Sequence, residues 1–181
     1  QLERDVDRLV RNDRIAWGSS MIACKDADAM VTGNIRHYAA SVEKLKKVVD
    51  PRPGEEIFGM TMINSKGKTI LVADTNVQDF PSSQRLVNVS KSCVRVARLF
   101  GFDPKVAFLS HSTFGKPVSK NTKHVRDAIE ILKDEKVDFD FDGEMQPDVA
   151  LNPIYQEIYP FSKIVGKANI LVMPALHSAA I

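Results

Sequence analysis

The sequence predicts an α/β fold in which a mainly parallel sheet is flanked by helices. Short apolar runs rich in β-formers, KTILVAD, VAFL and NILVM, recur along the chain. Between them stand longer segments with helical periodicity, and glycines and prolines punctuate the changes. Strands alternating with helices imply right-handed crossovers and parallel pairing. Ligand clefts in such sheets open beyond the carboxyl ends of the strands, so the loops after Leu109, Phe141 and Met173 are the ones to inspect.

The elements follow in order. Leu2, Val6, Leu9 and Val10 recur at helical spacing among Glu3, Arg4, Asp7 and Arg8, which predicts an amphipathic helix, and a second helix is expected over 13–23. The run DADAMVTGN (26–34) reads as a short strand ending in a glycine turn. Helical spacing returns over 38–49 until Pro51, Pro53 and Gly54 break it. IFGMTMIN and KTILVAD are separated by Ser65, Lys66 and Gly67, which predicts a hairpin. Ser82 or Ser83 caps the next helix, whose inner face is Leu86, Val89, Cys93, Ala97 and Phe100 and which Gly101 ends. Then come a strand (106–109), a loop, a helix (120–135), a strand (139–141), a short helix (148–159) and a strand (169–173).

Composition narrows the function. The 25 basic and 23 acidic residues leave a net charge of +2 with both signs interspersed, so no patch for nucleic acid or a membrane surface is expected. Cys24 and Cys93 stand outside any Cys-x-x-Cys pattern, which speaks against a zinc site or disulfide framework and for a reducing, cytoplasmic compartment. No apolar run approaches the ~18 residues of a membrane span. The amphipathic start at Gln1 and the stop at Ile181, just beyond a strand, give the expectation of a piece of a longer polypeptide.

The loop FLSHSTFGKPVS (108–119) is the richest in polar chemistry. Ser110, His111 and Ser112 are adjacent on an extended chain, where neighbours point apart, and the Gly-x-Ser-x-Gly of a nucleophile elbow is absent. Hydroxyls, backbone donors and Gly115 at a strand end, with a helix to follow, suit an anion cradle better. The run DFDFDG (138–143) imitates half a calcium loop, but position 12 is Val149, and Phe139 with Phe141 alternate as a strand. Asp142, Gly143, Glu144 and Asp148 lie beyond that strand, where carboxylates can take protons from ligand amides or thiols or cap the next helix; capping is the preferred reading for Asp148. The four histidines show no metal-ligand spacing, and neither Gly-x-Gly-x-x-Gly nor a Walker sequence occurs, so a self-contained metal or nucleotide enzyme is not expected.

Taken in order, DADAMVTG, PRPG, ILVAD, LSHSTFG, FDGEMQPDVALNP and GKANILVMPALHSA resemble the phosphate acetyltransferase and butyryltransferase family over nearly the whole chain. VDPRPG, STFG, DGEM with DVALNP, and YPF before ANILVMPALHSA are closer to the phosphotransacetylase-like domain at the C-terminal end of NADP-dependent malic enzymes. The resemblance implies the phosphotransacetylase-like fold, akin to that of isocitrate dehydrogenase, with 1–181 forming part of one such domain. It implies a cleft for acyl groups, CoA and phosphate. By it, Thr32, Gly33, Ser110, Ser112, Thr113, Gly143, Asp148, Asn169 and Pro174 are ligand-binding, Arg36 is a further cation of the cleft, and Asp142 is catalytic where transfer activity is retained.

The sequence departs from that family at one stretch. Where transacetylases carry His-Thr-Thr and then Arg-Pro, this chain has Arg36, His37 and Tyr38, then Glu43 and Lys44. Glutamate in place of arginine changes the local charge by two units and removes a planar fork suited to phosphate. The resemblance therefore implies acetyl-CoA or CoA as ligand, a regulatory and oligomerising role, homo-oligomers, and a malic-enzyme domain in cis that holds the NADP and divalent metal. A working phosphate acetyltransferase and a purely structural dimerisation lobe are the alternative readings.

Overall fold

The computed structural model describes residues 3–33, 35–74 and 79–179. The chain divides into two compact units, one reaching Glu55 and the other starting at Glu56.

The first unit holds α1 (Glu3–Asn12), α2 (Arg14–Ala23) and α3 (Tyr38–Lys46). Asp13 starts α2 because its Oδ1 accepts from the amides of Ile15 (2.9 Å) and Ala16 (3.2 Å), two of the donors a helix start leaves unpaired. The strand expected over 26–34 does not form: residues 26–33 are irregular, and Asn34 lies outside the described residues. Among the described residues no strand pairs with this run, Val31 is fully exposed, and Met30 packs on α2, its Sδ 2.5 Å from where a Cβ on Gly18 would sit. The third helix is also shorter than its spacing implied, since Val48 and Val49 close onto Leu45 O as a turn.

The second unit is built on one sheet. It comprises β1 (Met60–Ser65), β2 (Lys68–Ala73), α4 (Ser83–Leu99), β3 (Lys105–Leu109), a 3-10 turn (Lys120–Thr122) running into α5 (Lys123–Asp134), β4 (Asp140–Met145), α6 (Pro147–Leu151), α7 (Pro153–Gln156), β5 (Ile170–Val172) and α8 (Leu176–Ala179). The strand order is β1-β2-β5-β3-β4. Only β1 and β2 are antiparallel, and the other pairs are parallel. Lys66 (φ 50°) and Gly67 (φ 73°) form the hairpin turn, whose two positive φ angles match the twist of the flanking strands.

Strand alternation divides the core between the two faces of the sheet. Val106, Phe108, Ile170 and Val172 pack with Leu86, Val89 and Cys93 of α4 and with Val125, Ala128 and Leu132 of α5. Ala107, Leu109 and Leu171 face the opposite way, onto Val149, Ala150 and Ile164. Burial of a leucine such as Leu86 or Leu132 stabilises by roughly 1.5–3 kcal/mol. Phe100 departs from the expected inner face of α4: it is the C-cap and is 58% exposed. The helix ends there because Gly101, at φ 78°, lets Phe102 N return to Ala97 O (3.0 Å).

Two expected elements differ in extent. The strand at 139–141 runs on to Met145, and the helix at 148–159 is two short helices broken at Asn152, whose side chain accepts from Ile154 N (3.3 Å) ahead of Pro153. Asp148 is not the cap of the first; Gln146 holds that position and Asp148 sits in the first turn. Pairing between β3 and β4 slips by one residue, from Phe108 opposite Gly143 to Leu109 opposite Met145, which makes Glu144 the extra residue of a bulge. Gly143 has φ 147°, and a Cβ on it would lie 2.6 Å from Phe108 O, so only glycine fits this approach.

Candidate ligand-binding site at the strand ends

A cavity of about 880 Å³ opens beyond the carboxyl ends of β3 and β5. Ser110 and His111 from the exit of β3 line it with Lys120, Thr122, Lys123 and His124 from the start of α5, Pro174 and His177 beyond β5, and Phe80 with Ser83 before and at the start of α4. This is where an open parallel sheet gathers its loops, and the volume suits a small organic ligand.

Behind the cavity wall, one buried carboxylate organises the loop. Glu144 is 1% exposed, and its Oε1 accepts from Ser112 Oγ (2.8 Å), Gly115 N (3.2 Å) and Arg126 Nη1 (3.1 Å). Its backbone oxygen takes Phe114 N at 2.7 Å. Arg126 also donates to Thr122 Oγ1 (2.7 Å) and Ser119 O (3.1 Å), so the loop and the start of α5 are fastened to the same bulge. Among the described residues Glu144 Oε2 is buried without a partner. His124 Nε2 donates to Pro174 O (3.0 Å), which fixes its proton on that nitrogen and joins α5 to the exit of β5.

The residues singled out from the sequence occupy different places. Ser110 and Pro174 line the cavity. Ser112 points into Glu144, and Thr113 Oγ1 accepts from Gln146 N (3.2 Å), so both build the wall. Asp142 is 9% exposed; its Oδ1 accepts from Gly143 N (2.9 Å) and its Oδ2 from Lys163 N (2.7 Å). Both oxygens thus hold backbone. Asp148 Oδ1 accepts from Val149 N at 2.9 Å. Asn169 stands at the amino ends of the strands, where Oδ1 takes Lys105 N (2.8 Å) and Nδ2 donates to Asp103 O (2.6 Å).

Thr32, Gly33 and Arg36 belong to the first unit. There Asp13 Oδ2 pairs with Arg36 Nη1 (3.3 Å) and with Lys44, and the Lys44 hydrogen bond above all holds the Asp13 carboxyl well below the usual carboxylate range. Both cations near the departing stretch are therefore already engaged by a carboxylate. Sequence reasoning did not single out the α5 wall, Phe80 or the hub role of Glu144. The signal available was position: Lys120, Lys123 and His124 sit where a helix begins directly after a strand-end loop.

Fold and cavity together define an α/β protein with a cavity at the ends of a mainly parallel sheet. The chain belongs to the family described as "Phosphate acetyl/butaryl transferase", whose profile matches residues 2–181. Over 99% of its length it is 46% identical to an NADP-dependent malic enzyme of Rhizobium meliloti (strain 1021), of which it spans 24%. It is 30% identical to a phosphate acetyltransferase of Bacillus subtilis (strain 168), covering 93% of this chain and 53% of that relative. A phosphotransacetylase structure from Streptococcus pyogenes superposes with a TM-score of 0.83 at 30% identity, over 97% of this chain and 54% of the other. The chain thus spans about a quarter of the malic enzyme it matches and about half of the transacetylases.

Proposed function

We propose that this chain is the acetyl-CoA-binding regulatory and oligomerising domain of an NADP-dependent malic enzyme, whose full polypeptide oxidatively decarboxylates malate to pyruvate. The observation that carries this reading is the 46% identity to a malic enzyme of which the chain spans 24%. The remaining length of such a polypeptide supplies the malic-enzyme domain in cis. Among the described residues no group of three His, Cys, Asp or Glu side chains is placed to hold a metal ion, and the sequence carries no dinucleotide fingerprint. In this reading NADP and the divalent cation are held by the rest of the polypeptide, and the protein works in the cytoplasm.

The geometry favours binding over transfer. Asp142, the candidate for deprotonating a thiol, spends both oxygens on backbone amides, and Asp13 holds Arg36 and Lys44. The strand-end cavity keeps the size and polar lining to hold acetyl-CoA. For acetyl-CoA to regulate malate oxidation it must bind two states of the assembly unequally. Calorimetry on the full-length protein tests this: acetyl-CoA binds and shifts the rate of NADP reduction by malate. Absence of binding at millimolar ligand overturns the reading, and sedimentation with and without CoA separates it from a lobe that only dimerises.

The second reading is a working phosphate acetyltransferase, favoured by the likeness to the Bacillus and Streptococcus proteins. Its mark is CoA release from acetyl-CoA that requires phosphate and disappears in Asp142→Ala, followed with a thiol reagent.

A further inference from the structure

We propose that the apolar ridge over residues 153–165 is the surface through which two copies of this chain associate about a two-fold axis. This rests on the oligomerising part of the reading above and names the surface and its partner.

Beyond α6 the chain turns large apolar side chains outward. Ile154, Ile158, Phe161 and Val165 are between 65% and 74% exposed, and Tyr155 is 39% exposed. The ridge is held firmly from below. Phe161 stands edge-on to Phe114, with ring centroids 4.9 Å apart, and to Tyr159 at 6.0 Å; both of these partners pack on the cluster of Ala107, Leu109 and Leu171. Glu157 keeps helical angles (φ −60°, ψ −28°) after α7, which brings Ile158 one turn beyond Ile154 on the same side. Ser162 N donates to Tyr159 O (2.9 Å), and Asp142 Oδ2 accepts from Lys163 N (2.7 Å). The exposed side chains therefore stand on a fixed backbone, and little order has to be gained when they are covered.

Area and charge select the occupant. At these exposures the five side chains offer roughly 600 Å² of apolar surface, the upper end of what a monomer leaves in water and most of the ~800 Å² that each partner of a stable pair buries. Residues 153–165 carry one acid, Glu157, and one base, Lys163. These charges cancel, so the ridge meets a copy of itself without net repulsion, as a two-fold contact demands. The ridge lacks the several lysines and arginines that hold an apolar face on a membrane surface. Contacts between domains of one polypeptide are more polar than this, whereas homodimer contacts form the more apolar class.

The test is sedimentation of the full-length protein with Ile158→Asp, Ile158→Leu and Leu99→Asp. A two-fold contact counts each substitution twice, so Ile158→Asp weakens association by roughly a hundred-fold and sediments as a lighter species. Ile158→Leu keeps the wild-type mass. So does Leu99→Asp, whose side chain is also exposed but stands on α4, across the sheet from the ridge. Both positions are exposed, so circular dichroism of the variants matches the wild type. An amine cross-linker applied to mixed unlabelled and isotope-labelled protein joins Lys163 of one copy to the other copy. Ile158→Asp that sediments like the wild type, or Lys163 cross-links confined to one copy because another part of the same polypeptide covers the ridge, overturns this placement and leaves the oligomerising reading standing. A wild type that sediments as a monomer overturns both, and calorimetry with acetyl-CoA reads the ligand-binding part separately.

Discussion

Ser112 Oγ donates to Glu144 Oε1 across 2.8 Å, and Arg126 reaches the same oxygen at 3.1 Å. The loop after β3 and the first turns of α5 are thus tied to one carboxylate at a sheet bulge. Removing it leaves a cation and a hydroxyl that lose their acceptor together. Glu144→Ala is expected to destabilise the protein by about 3 kcal/mol, and Glu144→Gln, which keeps an acceptor for Ser112, by roughly half as much. Urea unfolding monitored by circular dichroism checks both, as a fall in midpoint at unchanged slope.

Gly143 supplies a second, purely steric test. Its φ of 147° and the 2.6 Å approach of a would-be Cβ to Phe108 O penalise any side chain twice. Gly143→Ala is expected to cost on the order of 3 kcal/mol. Gly33→Ala is the control: it has a positive φ but nothing within 4 Å, so it costs clearly less in the same assay.

Burial pushes the Cys93 thiol up to about 12, whereas Cys24 is exposed. A thiol reagent at pH 8 is expected to modify Cys24 alone in the native protein and both cysteines in denaturant. Because the folded thiol binds its proton more tightly than the unfolded one, its contribution to stability is complete below the unfolded value near 8.5. It is lost progressively as pH rises from there toward 12. Cys93→Ala flattens that alkaline decline.

Asp13 gives the opposite sign at the acid end. Its carboxyl is held low by Lys44 first, and the Ile15 and Ala16 amides add to the effect. The ionised form therefore favours the folded state above the unfolded carboxylate value of about 4, and that contribution is lost as the pH falls below it. Asp13→Asn retains the cap but removes the charge, so its thermal midpoint depends less on pH between about 4 and 2 than that of the wild type. Differential scanning fluorimetry over that range reads the difference.

Features governed by local chemistry were the ones legible in the sequence. Lys66 and Gly67 specify the hairpin turn by themselves, and the spacing of Leu86, Val89, Cys93 and Ala97 before Gly101 specifies α4 and its end. The run at 26–33 misled because its apolar residues resemble a strand, while the ladder that would make it one needs a neighbouring strand, and none among the described residues pairs with it. The bulge at Glu144 was hidden for the same reason, since a register slip is a property of two strands 35 residues apart in sequence, Leu109 and Glu144. Within the site, Ser110 and Pro174 were legible from strand ends and resemblance. The partner of Asp142 was not, because an amide 21 residues further on leaves no mark beside it. Lys120 and Lys123 read as ordinary solvated charges until the fold turned the start of α5 toward the cavity.

The order β1-β2-β5-β3-β4 places β5, which follows the other four in sequence, in the middle of the sheet. As the polypeptide emerges from its amino end, β1 with β2 and β3 with β4 can form only as two separate ribbons, each with one apolar inner edge open. Three residues, Ile170, Leu171 and Val172, join them by pairing with Leu71 to Ala73 on one side and Val106 to Phe108 on the other. Completion of the sheet thus waits for β5, which ends at Val172, long after β1 has begun at Met60, and the edges of β2 and β3 stay open meanwhile.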